Sequence, residues 1–549
     1  MPSHKKAPHK PINSIHFYSF VYYIPIILGL NFPNHEKPIP SFFIEFISGL
    51  GILGLALNSI TKKAYRPDFC WHIFLLIPIL GWIQYLAGII RLSGDAVIVT
   101  GYGLYAWCIA MLVSSMTPDN RYTFIEHLFK ALVLSWLLGF TLQLMQWWGI
   151  RSMWIASMGT SRPAGNLTQP NHFATWTLLT AWAALWLQEK KAWPRLGVAS
   201  LLVCFAFSLA LAASRTGFLA IAICTMWAWW QDFRFPKQSE TNNAVSKALY
   251  ITTLLTLTAV ATYLRPAIEW IAFGSHHSPE MLRSYDGERL RLLNFALQAT
   301  LERPWTGWGI YQTPLAQTKS AGGSGLYTQL YPSTHNLLAD IFLWLGIPLG
   351  LFISFLIGIA LIRALQPNTK KPNHLPLHCI LITLMLHAML EYPLYYLMWL
   401  GIFGAVLAAT SDTNTPKRSN ISSNLNKTLN ITLQATIFVF WACIISSYLL
   451  LQERRSVYYL AGECTFSSPI SKAVWQRHEL MLDALCNQPI PAGIDKLDVA
   501  ILAGSSEVLH KLYRDQTLDA SQREAVLQAG CRIGAFHYFC LDDDRRTRN

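Results

Sequence analysis

A polar segment between two long apolar runs carries the residue types best suited to bind an anion or a sugar. It occupies residues 161–172 and reads Ser-Arg-Pro-Ala-Gly-Asn-Leu-Thr-Gln-Pro-Asn-His. Such a loop cannot lie in lipid, because its backbone N–H and C=O groups would lack hydrogen-bond partners there. We therefore expect it in an aqueous cavity at a membrane face, where a guanidinium and several amides can meet a polar ligand.

Two further segments supply guanidinium groups. Arg215 follows Ala-Ala-Ser at the end of an apolar run, and these small neighbours leave room for a donor fork that suits phosphate. The alternative is an arginine that merely reaches the membrane interface. Arg289 and Arg291 belong to an amphipathic helix predicted to end near Glu302. They project on different faces, so at most one points into a cleft, and a plain surface helix is the alternative.

Two segments supply ionisable groups that can move a proton. His335 begins a predicted helix and faces water, where a histidine can accept a proton near neutral pH. Asp340 is poorly placed to orient it along the same helix. His387 and Glu391 are spaced i, i+4 and can pair on one helix face, with Glu391 as a second candidate base. Structural roles, such as a polar clamp between helices, are the alternatives.

The composition is that of a polytopic membrane protein. Of the 549 residues, 52% are hydrophobic and only 13% are charged, and the mean hydropathy is +0.30. Soluble proteins average about 25% charged residues. The net charge of +13 would suit nucleic acid, but the basic residues stand in short loops between apolar runs. That placement indicates membrane topology, so we predict a lipid bilayer and no nucleic acid as partner.

We predict an all-α membrane protein with about thirteen transmembrane helices, each near the 20 residues that cross a bilayer. The predicted spans are 16–32, 41–60, 69–90, 95–116, 124–150, 172–188, 196–213, 217–232, 247–265, 335–363, 376–391, 393–410 and 431–451. They give four regions: N-terminal helices in 1–265 with an outer loop at 151–171, a large loop at 266–334, C-terminal helices in 335–451, and a soluble helical domain at 452–549.

The basic residues orient these spans. With the N-terminus in the cytoplasm, the inner loops hold roughly nineteen Lys and Arg and the short outer loops about five. In a bacterial inner membrane, the polar clusters and the C-terminal domain then all face the periplasm. A transporter, which is one alternative, would be expected to show ionisable groups near the middle of its spans and symmetry between its halves.

The C-terminal domain contains four cysteines, Cys464, Cys486, Cys531 and Cys540. In an oxidising compartment they can form two disulfides, although free buried thiols are an equal alternative. No cysteine or histidine pair has the spacing of metal ligands, so we predict no metal site.

These segments together resemble the O-antigen ligase/polymerase superfamily. The run from Arg162 to His172 and the Glu391-Tyr392-Pro393 turn are most similar to the pilin-type (PglL-like) O-oligosaccharyltransferases. Arg289 with the Gly-Trp-Gly at 307–309, and the loop-exit His335, are similar to the pattern of the whole superfamily.

The resemblance implies en bloc transfer of a glycan from undecaprenyl diphosphate to a Ser or Thr hydroxyl of a periplasmic protein such as a pilin-like protein, without cofactor or metal. The implied catalytic residues are His335, Glu391 and Tyr392; the implied ligands of the lipid diphosphate are Arg215, Arg289 and Arg162; the implied contacts of glycan or acceptor are Gln169, Asn171 and His172. An O-antigen ligase or polymerase acting on lipopolysaccharide or a lipid-linked glycan is the nearest alternative.

Overall fold

The computed structural model describes residues 21–33, 35, 38–59, 69–157, 162–190, 194–234, 247–274, 287–320, 330–366, 374–410, 423–515 and 518–532. All regular structure within these ranges is helical, which confirms the predicted all-α class. Long apolar helices dominate, as in a multi-pass membrane protein.

The helices are α1 (Tyr23–Leu30), α2 (Phe42–Asn58), α3 (Leu76–Leu86), α4 (Ser93–Ser115), α5 (Pro118–Trp147), α6 (Pro170–Glu189), α7 (Arg195–Ala212), α8 (Arg215–Arg234), α9 (Lys247–Phe273), α10 (Glu288–Glu302), α11 (Thr313–Lys319), α12 (Leu337–Leu365), α13 (Leu375–Ala388), α14 (Leu397–Thr410), α15 (Ser423–Ala461), α16 (Pro469–Val474), α17 (Gln476–Leu485), α18 (Lys496–Leu502), α19 (Ser506–Tyr513) and α20 (Ala520–Arg532). Short 3₁₀ turns lie at Phe69–Leu75, Gly165–Leu167 and Pro393–Tyr395.

Each predicted span contains a helix, but not all these helices are long. Within the described ranges, four helices are long and apolar enough to cross a bilayer by themselves: α4, α5, α9 and α12. Others, such as α13 and α14 with 14 residues each, are shorter than a full crossing. The number of about thirteen crossings therefore stays a prediction.

Helix α9 extends beyond Arg265, the end predicted for its span. It continues through Pro266 to Phe273, into the range 266–334 that the sequence assigned to the large loop. A proline inside a helix removes one backbone hydrogen bond. Here the helix is held on both sides of the proline, because Arg265 Nε bonds Glu269 Oε1 at 2.6 Å and both side chains are buried. Arg265 also donates to the carbonyl of Ala210 at the end of α7, at 3.1 Å.

Helix α6 is the centre of the membrane core and positions the first residues of the site. It packs against α5, α7 and α13 and is buried on nearly every side. Trp182 Nε1 donates to Thr383 Oγ1 of α13 at 3.1 Å, and Trp136 Nε1 of α5 donates to Thr177 Oγ1 at 3.0 Å. Because these polar bonds are buried among apolar side chains, they fix the helix against both neighbours.

The C-terminal helices pack onto the membrane core through a buried ionic junction. Asp95, in the first turn of α4, pairs with Arg477 of α17 and accepts a hydrogen bond from Gln312 at 2.8 Å. Arg477 also donates to the carbonyl of Tyr311 at 2.8 Å and lies over that ring. The domain is thereby joined to the segment that leads from α10 into α11.

The cysteines of this domain follow the disulfide alternative where they are described. Cys464 and Cys486 form a disulfide with a Cα–Cα distance of 5.8 Å. Cys531 is also disulfide-bonded, whereas Cys540 lies outside the described residues.

Candidate active site

The loop before α6 is held by two glutamines of α5. Gln143 Nε2 donates to the carbonyl of Pro163 at 3.0 Å, and Gln146 Nε2 donates to that of Gly165 at 2.9 Å. Gln146 Oε1 accepts from the amide of Ala164 at 3.1 Å. Residues 163–167 are buried. This part of the loop differs from the expectation of an aqueous cavity, because glutamine side chains satisfy the backbone groups of residues 163–165.

Two polar side chains of this loop have structural partners. Asn166 Nδ2 donates to the carbonyls of Asn31 and Trp154 at 2.7 and 2.9 Å, so it ties the loop to the end of α1. Gln169 Oε1 accepts from the amide of His172 at 3.0 Å and caps α6. For the role predicted for Gln169, contact with glycan or acceptor, its Nε2 and the second lone pair of Oε1 remain.

Asn171 is the loop residue that points into the site. Its Oδ1 accepts from Ser214 Oγ at 2.7 Å, and its Nδ2 donates to Glu391 Oε1 at 3.0 Å. Ser214 Oγ also accepts from the amide of Gly217 at 3.1 Å and so caps α8. One asparagine thus joins the starts of α6 and α8 to the turn after α13.

Glu391 is the hub of the site. Besides Asn171, its Oε1 accepts from Arg289 Nη2 at 2.6 Å, and its Oε2 lies 3.0 Å from His335 Nδ1. Burial alone would raise the pKa of this carboxyl. The hydrogen bond from His335, the charge of that ring when protonated, and the guanidinium of Arg289 outweigh burial and lower the pKa of Glu391 to about 2. Such a carboxylate is a poor base but a strong partner for cations.

His335 is oriented as a base would need to be. A carboxylate only accepts hydrogen bonds, so Nδ1 carries the hydrogen and the Nε2 lone pair is left to take a proton. The rings of Tyr331 and Tyr392 flank the imidazole edge-on, with centroids 5.7 and 5.0 Å away. His335 has a φ of 60°, a left-handed conformation that costs about 1–3 kcal/mol in a non-glycine residue.

Asp340 holds His335 in that conformation, although the sequence suggested that it was poorly placed to do so. Its Oδ1 accepts from the amide of Thr334 at 2.8 Å, and its Oδ2 accepts from Ser333 Oγ at 2.6 Å. The amide of His335 in turn donates to Ser333 Oγ at 3.0 Å. Asp340 thus fixes the backbone of His335 and does not contact its ring. A carboxylate one turn into a strongly apolar helix was the signal available in the sequence.

The expected side-chain pair of His387 and Glu391 is not formed. His387 Nδ1 lies 2.8 Å from Thr175 Oγ1 of α6, and its buried Nε2 lacks a hydrogen-bond partner among the described residues. The Glu391 amide still donates to the carbonyl of His387 at 2.8 Å, although the regular helix α13 ends at Ala388. The Glu391 side chain turns towards His335 instead.

The predicted arginines come from three segments, and Arg289 is the one that bonds Glu391 in the described structure. Arg215 is exposed at the start of α8, next to Ser214, and Arg162 Nη1 donates to the carbonyl of Ala213 at 3.3 Å. Arg289 approaches from α10 and keeps 43% of its side chain exposed while it bonds Glu391. Arg291 is exposed on another face of α10, as predicted.

Tyr392 and His172, the other two predicted site residues, lie at different depths below the surface of the site. Tyr392 faces His335 and stacks on Tyr396 with an interplanar angle of 16°. His172 is buried beneath them, with its ring edge-on to Tyr396 at 4.8 Å and to His387 at 5.1 Å. In this structure His172 packs against the rings of Tyr392 and Tyr396, so its predicted contact with a ligand requires these two rings to move.

Comparison with known proteins agrees with the motif resemblance. The O-antigen ligase family matches residues 200–354, which contain Arg215, Arg289 and His335. The C-terminal family of virulence-factor membrane-bound polymerases matches residues 377–463, which contain Glu391.

Two proteins of Acinetobacter baylyi are similar to the chain over most of its length. One, a "General O-oligosaccharyltransferase", is 25% identical over 342 residues, which are 60% of this chain and 58% of the relative. The other, a "ComP-specific O-oligosaccharyltransferase", is 24% identical over 355 residues, which are 63% of each chain. The matched part thus spans about six tenths of these relatives, and it confirms the resemblance inferred from the motifs.

Proposed function

We propose that this chain, a member of the O-antigen ligase superfamily similar to the O-oligosaccharyltransferases, transfers a preassembled glycan from undecaprenyl diphosphate to a Ser or Thr hydroxyl of a protein. The observation that carries the proposal is the hub at Glu391, which joins Asn171, Arg289 and His335 from three distant segments. A base, a cationic group and an amide meet there, and hydroxyl attack on a diphosphate ester needs these groups.

The reaction is a single displacement at the anomeric carbon. His335 Nε2 takes the proton of the acceptor hydroxyl while its oxygen forms a bond to that carbon, and the bond from the carbon to the diphosphate oxygen breaks. The imidazolium that forms is stabilised by Glu391, which already accepts from Nδ1. The proton ends on His335, and undecaprenyl diphosphate leaves with the electron pair.

The leaving diphosphate is held by guanidinium groups. Arg289 uses one Nη atom for Glu391 and, being partly exposed, can offer its other donors to a phosphoryl group. Arg215 lies at the positively polarised start of α8, which also favours an anion. Arg162 adds charge beside the same turn, at Ala213. These cationic groups can neutralise a diphosphate without a metal.

We place the site on the periplasmic side of a bacterial inner membrane, with a pilin-like protein as acceptor. The arrangement of basic loops supports this orientation, and so does the Cys464–Cys486 disulfide, since disulfides persist in oxidising compartments. The name of one relative restricts that relative to ComP, which favours a dedicated protein acceptor here too.

Reconstitution tests the proposal. The full chain, in proteoliposomes with a lipid-diphosphate-linked glycan and a pilin-like protein, should increase the intact mass of the protein by one glycan. Arg289→Gln and His335→Ala should abolish this increase, while the exposed matched variants Arg291→Gln and His510→Ala should retain it. Normal glycosylation by His335→Ala would remove that residue as the base.

An O-antigen ligase or polymerase is the second candidate, favoured by the description of the family that matches residues 200–354. The same proteoliposomes can be offered lipid A core or a second lipid-linked glycan in place of the protein. Transfer to these acceptors, with none to any protein hydroxyl, would select the alternative.

A further inference from the structure

Helix α10, which carries Arg289 to the site, exposes a ridge of leucines. The ridge consists of Leu290, Leu293, Leu297 and Leu301, which are between 38% and 60% exposed. At 100° per residue these positions fall within a sector of about 80° on one side of the helix. An isolated exposed leucine needs no explanation, but an aligned row of four requires an apolar partner.

The rest of the helix surface is divided into two other sectors. Leu292 and Phe295 are buried and pack with Leu343 of α12. Asn294 and Gln298 are exposed and polar. The leucine ridge lies between the buried and the polar sectors. An interfacial helix that packs on protein needs three such surfaces: a buried one against the protein, an apolar one in the hydrocarbon and a polar one in water.

The ridge continues towards an exposed apolar surface of α12. After α10, the carbonyl of Pro304 accepts from the amide of Ile347 at 2.6 Å, where α12 is broken at Gly346. Trp305, 77% exposed, lies beside this break, and Leu349 and Phe352 follow it as exposed residues of α12. Of the most apolar stretch of α12, only 17% is buried within the protein. Tryptophan is enriched where a membrane meets water.

We propose that the leucine ridge lies in bilayer hydrocarbon, with phospholipid acyl chains as its partner. Helix α10 is then an interfacial helix of the leaflet nearest the site, and not part of a water-exposed loop. Arg289, in its first turn, lies at the depth of the lipid headgroups. A diphosphate attached to a lipid lies at that same depth, so the membrane itself brings the anion to the guanidinium. The proposal concerns the lipid contact and holds whether or not glycan transfer is the reaction.

Site-directed spin labelling of the full chain tests the lipid contact. Leu297→Cys and its neighbour Gln298→Cys, about 100° apart on the helix, form a matched pair. Both are made with Cys443→Ser, which removes a free exposed thiol, and that background variant measures labelling elsewhere. The labelled proteins are placed in vesicles of phosphatidylethanolamine and phosphatidylglycerol. Power saturation then compares collisions with oxygen, which concentrates in lipid, and with a water-soluble nickel chelate.

We expect the ratio of oxygen to nickel accessibility to be several-fold higher at position 297 than at 298. Equal nickel accessibility at both positions would overturn the proposal, because the ridge would then face water. Exclusion of both reagents from position 297 would also overturn it, because protein, such as a second copy of the chain, would then cover the ridge. The pair Leu293→Cys and Asn294→Cys provides a second test, should either member of the first pair fail to fold.

Discussion

Replacing Glu391 by glutamine tests the reasoning about the site most directly. Glutamine keeps the size of the side chain and can still accept one hydrogen bond, but it lacks the negative charge. Two partners lose the contact with that charge, the guanidinium of Arg289 at 2.6 Å and the ring of His335 at 3.0 Å. The Arg289 side chain is 43% exposed, so water screens its interaction with the buried Glu391, and the loss of this pair should cost only about 0–1 kcal/mol.

The His335 interaction accounts for most of the expected effect. It strengthens during the reaction, because the imidazole becomes a cation only when it has taken the hydroxyl proton. A buried hydrogen bond to a charged group contributes about 1.5–3 kcal/mol. Together with Arg289, the total is about 1.5–4 kcal/mol, which corresponds to a fall in kcat of about 10- to 1000-fold. The KM for the lipid donor should change much less.

The assay is the rate of glycan addition in proteoliposomes, measured by intact mass at saturating donor. Glu463→Gln, which neutralises an exposed carboxylate in the C-terminal domain, is the matched control and should keep the wild-type rate. Glu391→Asp keeps the charge at a longer distance and should lie between the two. A wild-type kcat in Glu391→Gln, with normal folding, would refute the role of the hub.

Three further predictions follow from the contacts around the site. Asp340→Asn removes the carboxylate that accepts hydrogen bonds from Ser333 and from the amide of Thr334. About 1.4–2.7 kcal/mol is then lost from the positioning of His335, so kcat should fall by about 10- to 100-fold. An unchanged rate would show that His335 keeps its left-handed backbone conformation without Asp340. Arg477→Gln leaves the buried carboxylate of Asp95 without its cation, which should lower the free energy of unfolding by about 3–5 kcal/mol. The Tm of the detergent-solubilised chain should fall accordingly. An unaltered Tm would contradict the ionic junction. The pKa of Glu391 falls from its ordinary 4.5 to about 2 on folding, so the stability that its carboxylate contributes is present above pH 4.5 and is lost as the pH falls towards 2. The difference in Tm between wild type and Glu391→Gln should therefore shrink as the pH falls from 4.5 towards 2, and a difference that grows over that range would contradict the lowered pKa.

The membrane character of the chain and most residues of the site could be predicted from local sequence. Apolar runs of bilayer length predict helices wherever they occur, because a chain in lipid must satisfy its own backbone hydrogen bonds. Ionisable residues at the ends of such runs are costly, so His335 and Glu391 could be singled out one by one, and Arg289 stood out as a cation on an amphipathic helix. The sequence also indicated that Arg289 and Arg291 lie on different faces, because that follows from the pitch of the helix.

Only the tertiary structure decided which of these residues meet. Asn171, Arg289, His335 and Glu391 are more than 200 residues apart at the extremes, and helix packing alone brings them together around one carboxylate. The i, i+4 spacing paired the side chain of Glu391 with His387, whereas its carboxylate bonds His335, because no local pattern shows which distant residue that carboxylate meets. Likewise, the loop before α6 is polar in sequence, but whether its amides face water or protein depends on glutamines contributed by α5. Local periodicity determines which groups stand on one element, whereas contacts between elements depend on how all of them pack.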